Sequence, residues 1–352
     1  MRTLPFITLL VPLITAGCAT AQPTDALVLH GATVVGQGPA SVTIDGDTIT
    51  AVGSAAPGAV EHDLAGRFLV PAFIDSHVHL AYTPQAEELA QGGVAGAVDW
   101  AAPITAVGDR VIHTAWAGPI LTAVQGYPTQ GWGRDGYGME VSGVAAGRKA
   151  VAAVQQAGAT IVKIAVGAGG PELSDEILTA ICDEAHSRGM LVGAHALNDA
   201  SALRAANVGA DILVHAPSGA LSDATVQAWA QKSVIPTISA FGGVTSTQQL
   251  AQAGATVLYG TDFGNTRALG ISSSEIAGME QAGLSGASIL AAGTSVPAER
   301  FGFTTLGSIE VGREASLLVL DRDPLTEPSA LSEPVAVIWR GQVVHGPLTP
   351  AP

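Results

Sequence analysis

Between residues 71 and 304 the chain alternates two textures. Short apolar runs are followed by stretches whose apolar residues recur at helical spacing. Eight runs can be counted: Phe73–Leu80, Val94–Asp99, Pro119–Val124, Ile161–Val166, Leu191–Ala196, Asp211–Ala216, Val234–Ala240 and Val257–Asp262. Alternation of this kind predicts βα units around a parallel sheet, and eight units fit a TIM-type (β/α)8 barrel over 71–304. A doubly wound open sheet is the main alternative. No Gly-x-Gly-x-x-Gly turn follows the first run, which weakens a dinucleotide-binding reading. Helix signals agree with the alternation. Ser174 is placed to cap a helix over Asp175–Arg188, with Gly189 as its stop, and Ser222 one that runs to about Gln231.

The two ends read differently. Ala26–His30 and Ser41–Asp45 near the start, and Ala315–Leu320, Val335–Trp339 and Gly341–Val344 near the end, are brief β-type runs separated by Gly-containing turns. Two strand-rich ends around a different middle suggest one small β-sandwich-like module, composed of 26–70 plus 305–347.

Composition narrows the function. At 352 residues, 47% hydrophobic and 13% charged, the chain can bury a large core and is not of disordered type. Its formal net charge of −15 argues against nucleic acid as a partner, since phosphates are held by Lys and Arg. The first residues read as a targeting segment: Arg2, an apolar stretch from Leu4 to Ile14 too short to span a bilayer, then Thr15-Ala16-Gly17-Cys18. That tetrapeptide resembles the lipobox of bacterial lipoproteins, although Thr15 departs from the usual Leu or Val. The likeness implies a signal peptide at 1–18, lipidation of Cys18 and a periplasm-facing or cell-surface protein held to the membrane only by that lipid, with residues 19–25 as a tether. Ordinary secretion, with cleavage near Ala19-Thr20-Ala21, is the alternative. The other cysteine, Cys182, sits at apolar helical spacing and reads as a buried structural residue.

Candidate chemistry lies late in the runs. Active sites of closed barrels sit at the C-terminal ends of the strands, and alternate strand residues point inward. The first run carries Asp75, His77 and His79 on one parity, so its two imidazoles can aim at one point. The fourth places Lys163 among aliphatics. The fifth, sixth and eighth end in His195, His215 and Asp262. Gly193 and Gly260 share parity with the polar residues that follow them, leaving room beneath. A solitary histidine in a core strand is ordinarily a hydrogen-bonded structural group, and Asp262 in Gly-Thr-Asp also suits a turn. Lys163 is harder to dismiss. Only Lys149, Lys163 and Lys232 are lysines, and a buried ammonium must be paired or neutralised. A neutral amine that adds carbon dioxide becomes a carbamate, an oxygen donor able to bridge two metals.

The stretch Phe68-Leu-Val-Pro-Ala-Phe-Ile-Asp-Ser-His77-Val-His79-Leu resembles the opening signature of the amidohydrolase superfamily. The order His-x-His, Lys, His, His, Asp is similar to its binuclear members, nearest the imidazolonepropionase-like and Xaa-Pro-dipeptidase-like branch, and Gly307–Leu320 resembles its C-terminal β-module. The likeness runs from about residue 26 to 345. It implies a metal-dependent hydrolase of a C–N bond (amide, peptide or cyclic amide) in a small-molecule substrate. His77, His79 and Asp262 would hold one divalent ion, zinc by ligand type, and His195 and His215 a second, more exposed one. N6-carboxylated Lys163 and a hydroxide would bridge the two, with Asp262 as general acid and base. Asp75 would support from the same strand face.

Some positions depart from that pattern: Ala72 and Ser316 replace a common Gly and Asp, the link Phe241–Ala255 is short, and Gln125-Gly-Tyr127-Pro-Thr stands where relatives present a His-containing loop. Tyr127 is a candidate to polarise a substrate carbonyl, and Arg134 and Arg267 are candidates to bind an anionic substrate. Each has a plain surface or turn role as its alternative. His30, His62 and His345 read as structural, His186 as solvent-facing on a helix, and His113 as a loop residue within reach of the site. A lactonase or phosphotriesterase on the same site, or a lipoprotein that binds a metal or solute without turnover, are the rivals; a homo-oligomer is compatible with all of them.

Overall fold

The computed structural model describes residues 26–53, 60–108 and 110–352, so the leader and Cys18 lie outside the described residues. The middle of the chain is α/β with parallel sheets. Strands β1 (Phe73–Val78), β2 (Val94–Asp99) and β3 (His113–Trp116) form a three-stranded sheet in the order β3-β2-β1. Seven more, β4 (Ile120–Ala123), β5 (Gly138–Val141), β6 (Ile161–Ala165), β7 (Leu191–His195), β8 (Ile212–Val214), β9 (Ser233–Ile235) and β10 (Thr256–Val257), form a second sheet in the order β5-β4-β6-β7-β8-β9-β10. Every residue of β1, β2, β4, β6, β8 and β9 is buried. Strands covered on both faces read as continuous apolar runs, which is why they stood out in the sequence.

The two sheets are hydrogen-bonded to each other. At one edge Ser76 N donates to Tyr259 O (2.8 Å), Asp262 N to His77 O (2.8 Å) and His79 N to Phe263 O (2.7 Å). These bonds lay the segment after β10 along β1. Asp75 strengthens the seam, since its buried carboxylate accepts from Thr261 N (3.0 Å) and Thr261 Oγ1 (2.5 Å). Gly260 permits the approach, because a Cβ there would overlap Ile235 and the His77 backbone. At the other edge β3 runs into β4 after three residues, and Thr160 N, just before β6, donates to Trp116 O (3.0 Å).

Helices connect the strands as expected. Ser174 Oγ accepts from Ile177 N to start the helix Asp175–Ser187, which ends before Gly189 at φ +71°. Ser222 Oγ does the same for Asp223–Trp229. Cys182 is free and 1% exposed, and burial pushes its thiol up to about 12, so it is an inert packing residue. His186 bonds Asp211 (2.8 Å) at the surface of its helix.

The ends pair with each other. A six-stranded sheet runs Gln342–His345, Ala336–Trp339, Leu317–Leu320, Phe68–Pro71, Thr33–Val34, Gly38–Pro39, mixing strands from both termini. A four-stranded sheet holds Thr48–Val52, Val42–Asp45, Leu27–His30 and Val60–Asp63. Leu29, Val42, Ile44, Leu69, Leu317 and Ile338 are among the residues of one apolar cluster shared by the two sheets. Ala72 and Ser316, the two departures from the resembled signature, are bonded to one another (Ala72 N to Ser316 O, 2.9 Å) at the point where the chain passes from the six-stranded sheet into β1.

The eight predicted runs need correction in four places. β3 is an additional strand, too short and polar (His-Thr-Ala-Trp) to show as an apolar run. β5, Gly-Met-Glu-Val, escaped for the same reason. The seventh run stops at Ile235, because Thr237 takes a left-handed turn (φ +48°) into a short helix, Ile238–Phe241. Of the eighth run, Val257–Asp262, only Val257 lies in regular strand, which spans Thr256–Val257. His113 opens β3 rather than lying in a loop, and its Nε2 is 2.7 Å from Glu314 Oε2 in the C-terminal segment. It is therefore tied away from the predicted site.

Gly193 should be required by packing. A Cβ there would overlap the indole of fully buried Trp100, whose Nε1 donates to Ser76 O (2.6 Å). Gly193→Ala is expected to destabilise by about 1–3 kcal/mol, read as a lower Tm in calorimetry. An unchanged Tm would contradict the close approach of Trp100 to β7.

Candidate metal centre

The strands deliver their polar residues to one end of the sheets. His77 lies near the end of β1 and His79 just beyond it. Lys163 is in the middle of β6, His195 closes β7, His215 follows β8, and Asp262 lies on the segment bonded to β1. All six are buried, with exposures from 0% for His77 to 8% for His79. The four imidazoles converge. Ring centroids are 5.2 Å apart for His77 and His79, 4.7 Å for His77 and His215, and 5.0 Å for His195 and His215. His215 is no more exposed than His79, so the expected split into a deep and an open half is not visible in ligand exposure.

His77, His79 and Asp262 each offer a ligand atom, and these atoms lie within 4.8 Å of one another. Asp262 Oδ1 is 3.4 Å from His77 Nε2 and 3.1 Å from His79 Nε2. Yet Oδ1, both nitrogens of His77 and Nδ1 of His79 are buried without a hydrogen-bond partner. Buried polar atoms are normally paired, and such a cluster needs explaining. A divalent cation between Asp262 Oδ1 and the Nε2 atoms of His77 and His79 would supply the partner that Oδ1 and His77 Nε2 lack, and the donor set is one that zinc accepts. Asn265 Nδ2 donates to Asp262 Oδ2 (2.9 Å), which turns Oδ1 toward the imidazoles.

Electrostatics prepare the same state. Burial first, and Lys163 second, hold His77 and His215 well below the ordinary imidazole range and bring His195 down to about 3. The rings are thus neutral near pH 7, the form that binds metal. Burial also brings Lys163 down to about 7, against the pull of Asp262 and Asp99. A substantial share of the amine is therefore unprotonated at neutral pH, as carbamate formation requires.

Residues the sequence did not single out hold the ligands in place. Thr237 Oγ1 donates to Pro236 O (2.7 Å), so it accepts from His215 Nδ1 (2.9 Å), which must carry the hydrogen. That leaves the Nε2 lone pair of His215 free for a ligand role. Thr237, His215 (φ +80°) and Asp262 (φ +56°) all occupy the left-handed region, uncommon for non-glycine residues. The Thr237 turn is anchored by buried Glu275, which accepts from Ile238 N (2.9 Å) and Ser239 N (2.8 Å); burial raises its carboxyl to about 7. Asp75, expected to support the histidines from the same face, accepts from the His77 backbone N–H (3.0 Å) and from Thr261 N (3.0 Å). Burial likewise lifts Asp99 to about 6 as it accepts from Ala81 N and Ala101 N. A polar residue inside an apolar run was the available signal for Asp99 and for Thr237, while Glu275 gave none, because its partners Ile238 and Ser239 are distant in sequence.

A cavity of about 500 Å³ opens over the cluster, with Tyr82, Tyr127, Trp132, Leu197 and Phe241 among its walls. Tyr127 stacks on His195 (5.0 Å, 25°) and its oxygen accepts from Trp132 Nε1 (3.3 Å). Its own proton is therefore free, and burial raises its pKa. The link Phe241–Ala255 contributes Phe241, whose ring lies 4.4 Å from His215. Arg134 and Arg267, by contrast, are exposed and do not line this cavity; Arg134 bonds Gln130 O on its own loop (3.0 Å).

A family profile described as the amidohydrolase family matches residues 68–345. No curated protein matches the chain. Among solved structures, the fold is similar to that of an amidohydrolase (TM-score 0.76, 23% identity, 92% of this chain and 100% of that one). It is similar also to a Xaa-Pro dipeptidase with methionine bound in its active site (0.76, 20%, 91% and 100%). A third likeness is to the ochratoxinase of A. niger (0.72, 19%, 92% and 96%).

Thr237→Val keeps shape and removes the hydroxyl. It is expected to weaken metal retention about 10–100-fold in competition against a chelator. Undiminished affinity would contradict the assigned His215 tautomer.

Proposed function

The chain belongs to the amidohydrolase family of C–N bond hydrolases, and from that premise we propose that it cleaves an amide, peptide or cyclic amide bond in a small molecule with two divalent ions. His77, His79 and Asp262 would hold one ion, His195 and His215 the other, and carboxylated Lys163 would join the two sites. The observation that carries this reading is the cluster of buried, unpartnered nitrogen and oxygen atoms on His77, His79 and Asp262, facing two further imidazoles and a lysine. When bound, such a pair of ions supplies Lewis acidity toward the scissile carbonyl and lowers the pKa of a water.

The chain's own groups would do the rest. Asp262 would accept a proton from the attacking water and return it to the leaving nitrogen. Its Oδ2 is steadied by Asn265, which suits a carboxylate that must stay in one orientation through both transfers. The Tyr127 hydroxyl retains its proton and lies at the cavity wall, where it could donate to the substrate carbonyl oxygen. Burial of the cluster keeps competing water low and strengthens each of these interactions.

The same reading extends to architecture and address. We take the two parallel sheets as one (β/α)8 barrel over 71–304, supported by the hydrogen bonds at both of their edges, with 26–70 and 305–347 as a composite β-module. No described helix is long and apolar enough to cross a membrane. Export as a lipoprotein anchored at Cys18 rests on the leader sequence alone.

Two variants test the site. Lys163→Ala is expected to lose one of two bound ions and nearly all turnover, with partial recovery in short carboxylic acids. Asp262→Asn is expected to lower kcat by about 10²–10⁴-fold. Full metal content and full turnover in Lys163→Ala would remove the bridge. Two tightly held ions with no turnover on amide, lactone and phosphotriester panels would favour a binding protein instead.

A further inference from the structure

The walls of the cavity, separate from its metal-facing floor, carry information about what enters. Trp132 is the hub of one wall. Its ring meets Tyr82 (5.9 Å, 73°), Tyr127 (6.2 Å, 70°), Tyr137 (6.0 Å, 49°) and His79 (5.5 Å, 69°). Phe241 packs against His215. Aromatic surface therefore touches a histidine of each proposed ion site. Ile120, Ala168 and Leu197 are the aliphatic lining.

The charged groups are few and already engaged. Among the described lining residues Lys163 is the only Lys or Arg and Asp262 the only Asp or Glu, and both belong to the metal cluster. The two arginines considered for anion binding are exposed outside the cavity. One hydrogen of the Asn265 amide is committed to Asp262 Oδ2 (2.9 Å). A carboxylate seated against these walls, away from the ions proposed at the floor, would meet aromatic rings and no Lys or Arg other than Lys163, so its desolvation would go uncompensated there. A flat neutral group would find edges and faces to pack on.

We infer that the substrate carries an uncharged, planar apolar group beside the scissile C–N bond, and that substrates with a free carboxylate there, such as dipeptides and N-acyl amino acids, are rejected. This rests on the C–N hydrolase reading above. The specificity residues are Trp132 and Phe241, with Tyr82 at the mouth.

Three substrates with a common acyl group test it on the metal-loaded protein: benzanilide, benzoylglycinamide and benzoylglycine. The last two differ essentially in charge. Benzanilide is expected to have the highest kcat/KM, and benzoylglycinamide to exceed benzoylglycine by on the order of 100-fold or more. Trp132→Ala should lower kcat/KM for benzanilide about 10-fold with bound metal unchanged by elemental analysis, and Trp132→Phe should recover most of it. Benzoylglycine cleaved as well as its amide would overturn the inference while leaving the hydrolase intact. If none of the three is turned over, the hydrolase reading fails on this panel, and calorimetric binding decides the pocket. Benzanilide bound on the order of 100-fold more tightly than benzoylglycine sustains the inference, and equal binding ends it.

Discussion

Lys163 stands in the middle of β6, whose other residues are Ile161, Val162, Ile164 and Ala165, and it is 1% exposed. An ammonium in that place would give up its hydration and meet four imidazoles that gain nothing from another positive charge. The energetic answer is for the amine to lose its proton, and its pKa of about 7 says it does so readily. The same burial keeps His77, His195 and His215 neutral, so one physical condition prepares the lysine and three of the imidazoles together. The cost is a set of polar atoms without partners, on the order of one to three kcal/mol for each. A cation between Asp262 Oδ1 and His77 Nε2 would offset that cost for those two atoms.

The fold serves this condition. Parallel strands buried on both faces bring residues distant in the chain to one rim, and apolar packing beneath excludes water. Trp100 fills the space that Gly193 leaves under Lys163, and its indole lies 5.3 Å from the Lys163 nitrogen. The seam between β1 and the segment 259–263 sets His77 and His79 against Asp262, with Asp75 and Thr261 as its internal fastening. Left-handed turns at His215, Thr237 and Asp262 then re-aim the chain just past the strand ends. Strain of this kind persists where surrounding contacts over-determine it, and here Glu275 and Asn265 are those contacts.

Much of this was legible in the sequence because burial on two faces writes apolar runs, and a polar residue inside such a run is conspicuous. His77, His79, Lys163, His195, His215 and Asp262 were found that way, and the alternation of runs gave the α/β class. What escaped was written differently. β3 and β5 are four-residue strands with polar members, so no periodicity could separate them from loop. Thr237, Glu275 and Asn265 act through contacts that only the folded chain creates. Arg134 and Arg267 were proposed from charge, but charge says nothing about which way a loop turns its side chains. The aromatic wall lay in the loop 127–137 in plain view, and three-dimensional convergence on His79 and His195 was needed to give it meaning.

The central claim is the conversion of one buried amine into a bridging oxygen donor between two ions. A crystal structure of zinc-loaded protein, with anomalous scattering at the zinc edge, reads it directly. Two anomalous peaks, one beside His77, His79 and Asp262 and one beside His195 and His215, joined by density continuous with the Lys163 side chain, are predicted. A single peak, or two peaks with the Lys163 density ending at its nitrogen, would contradict it.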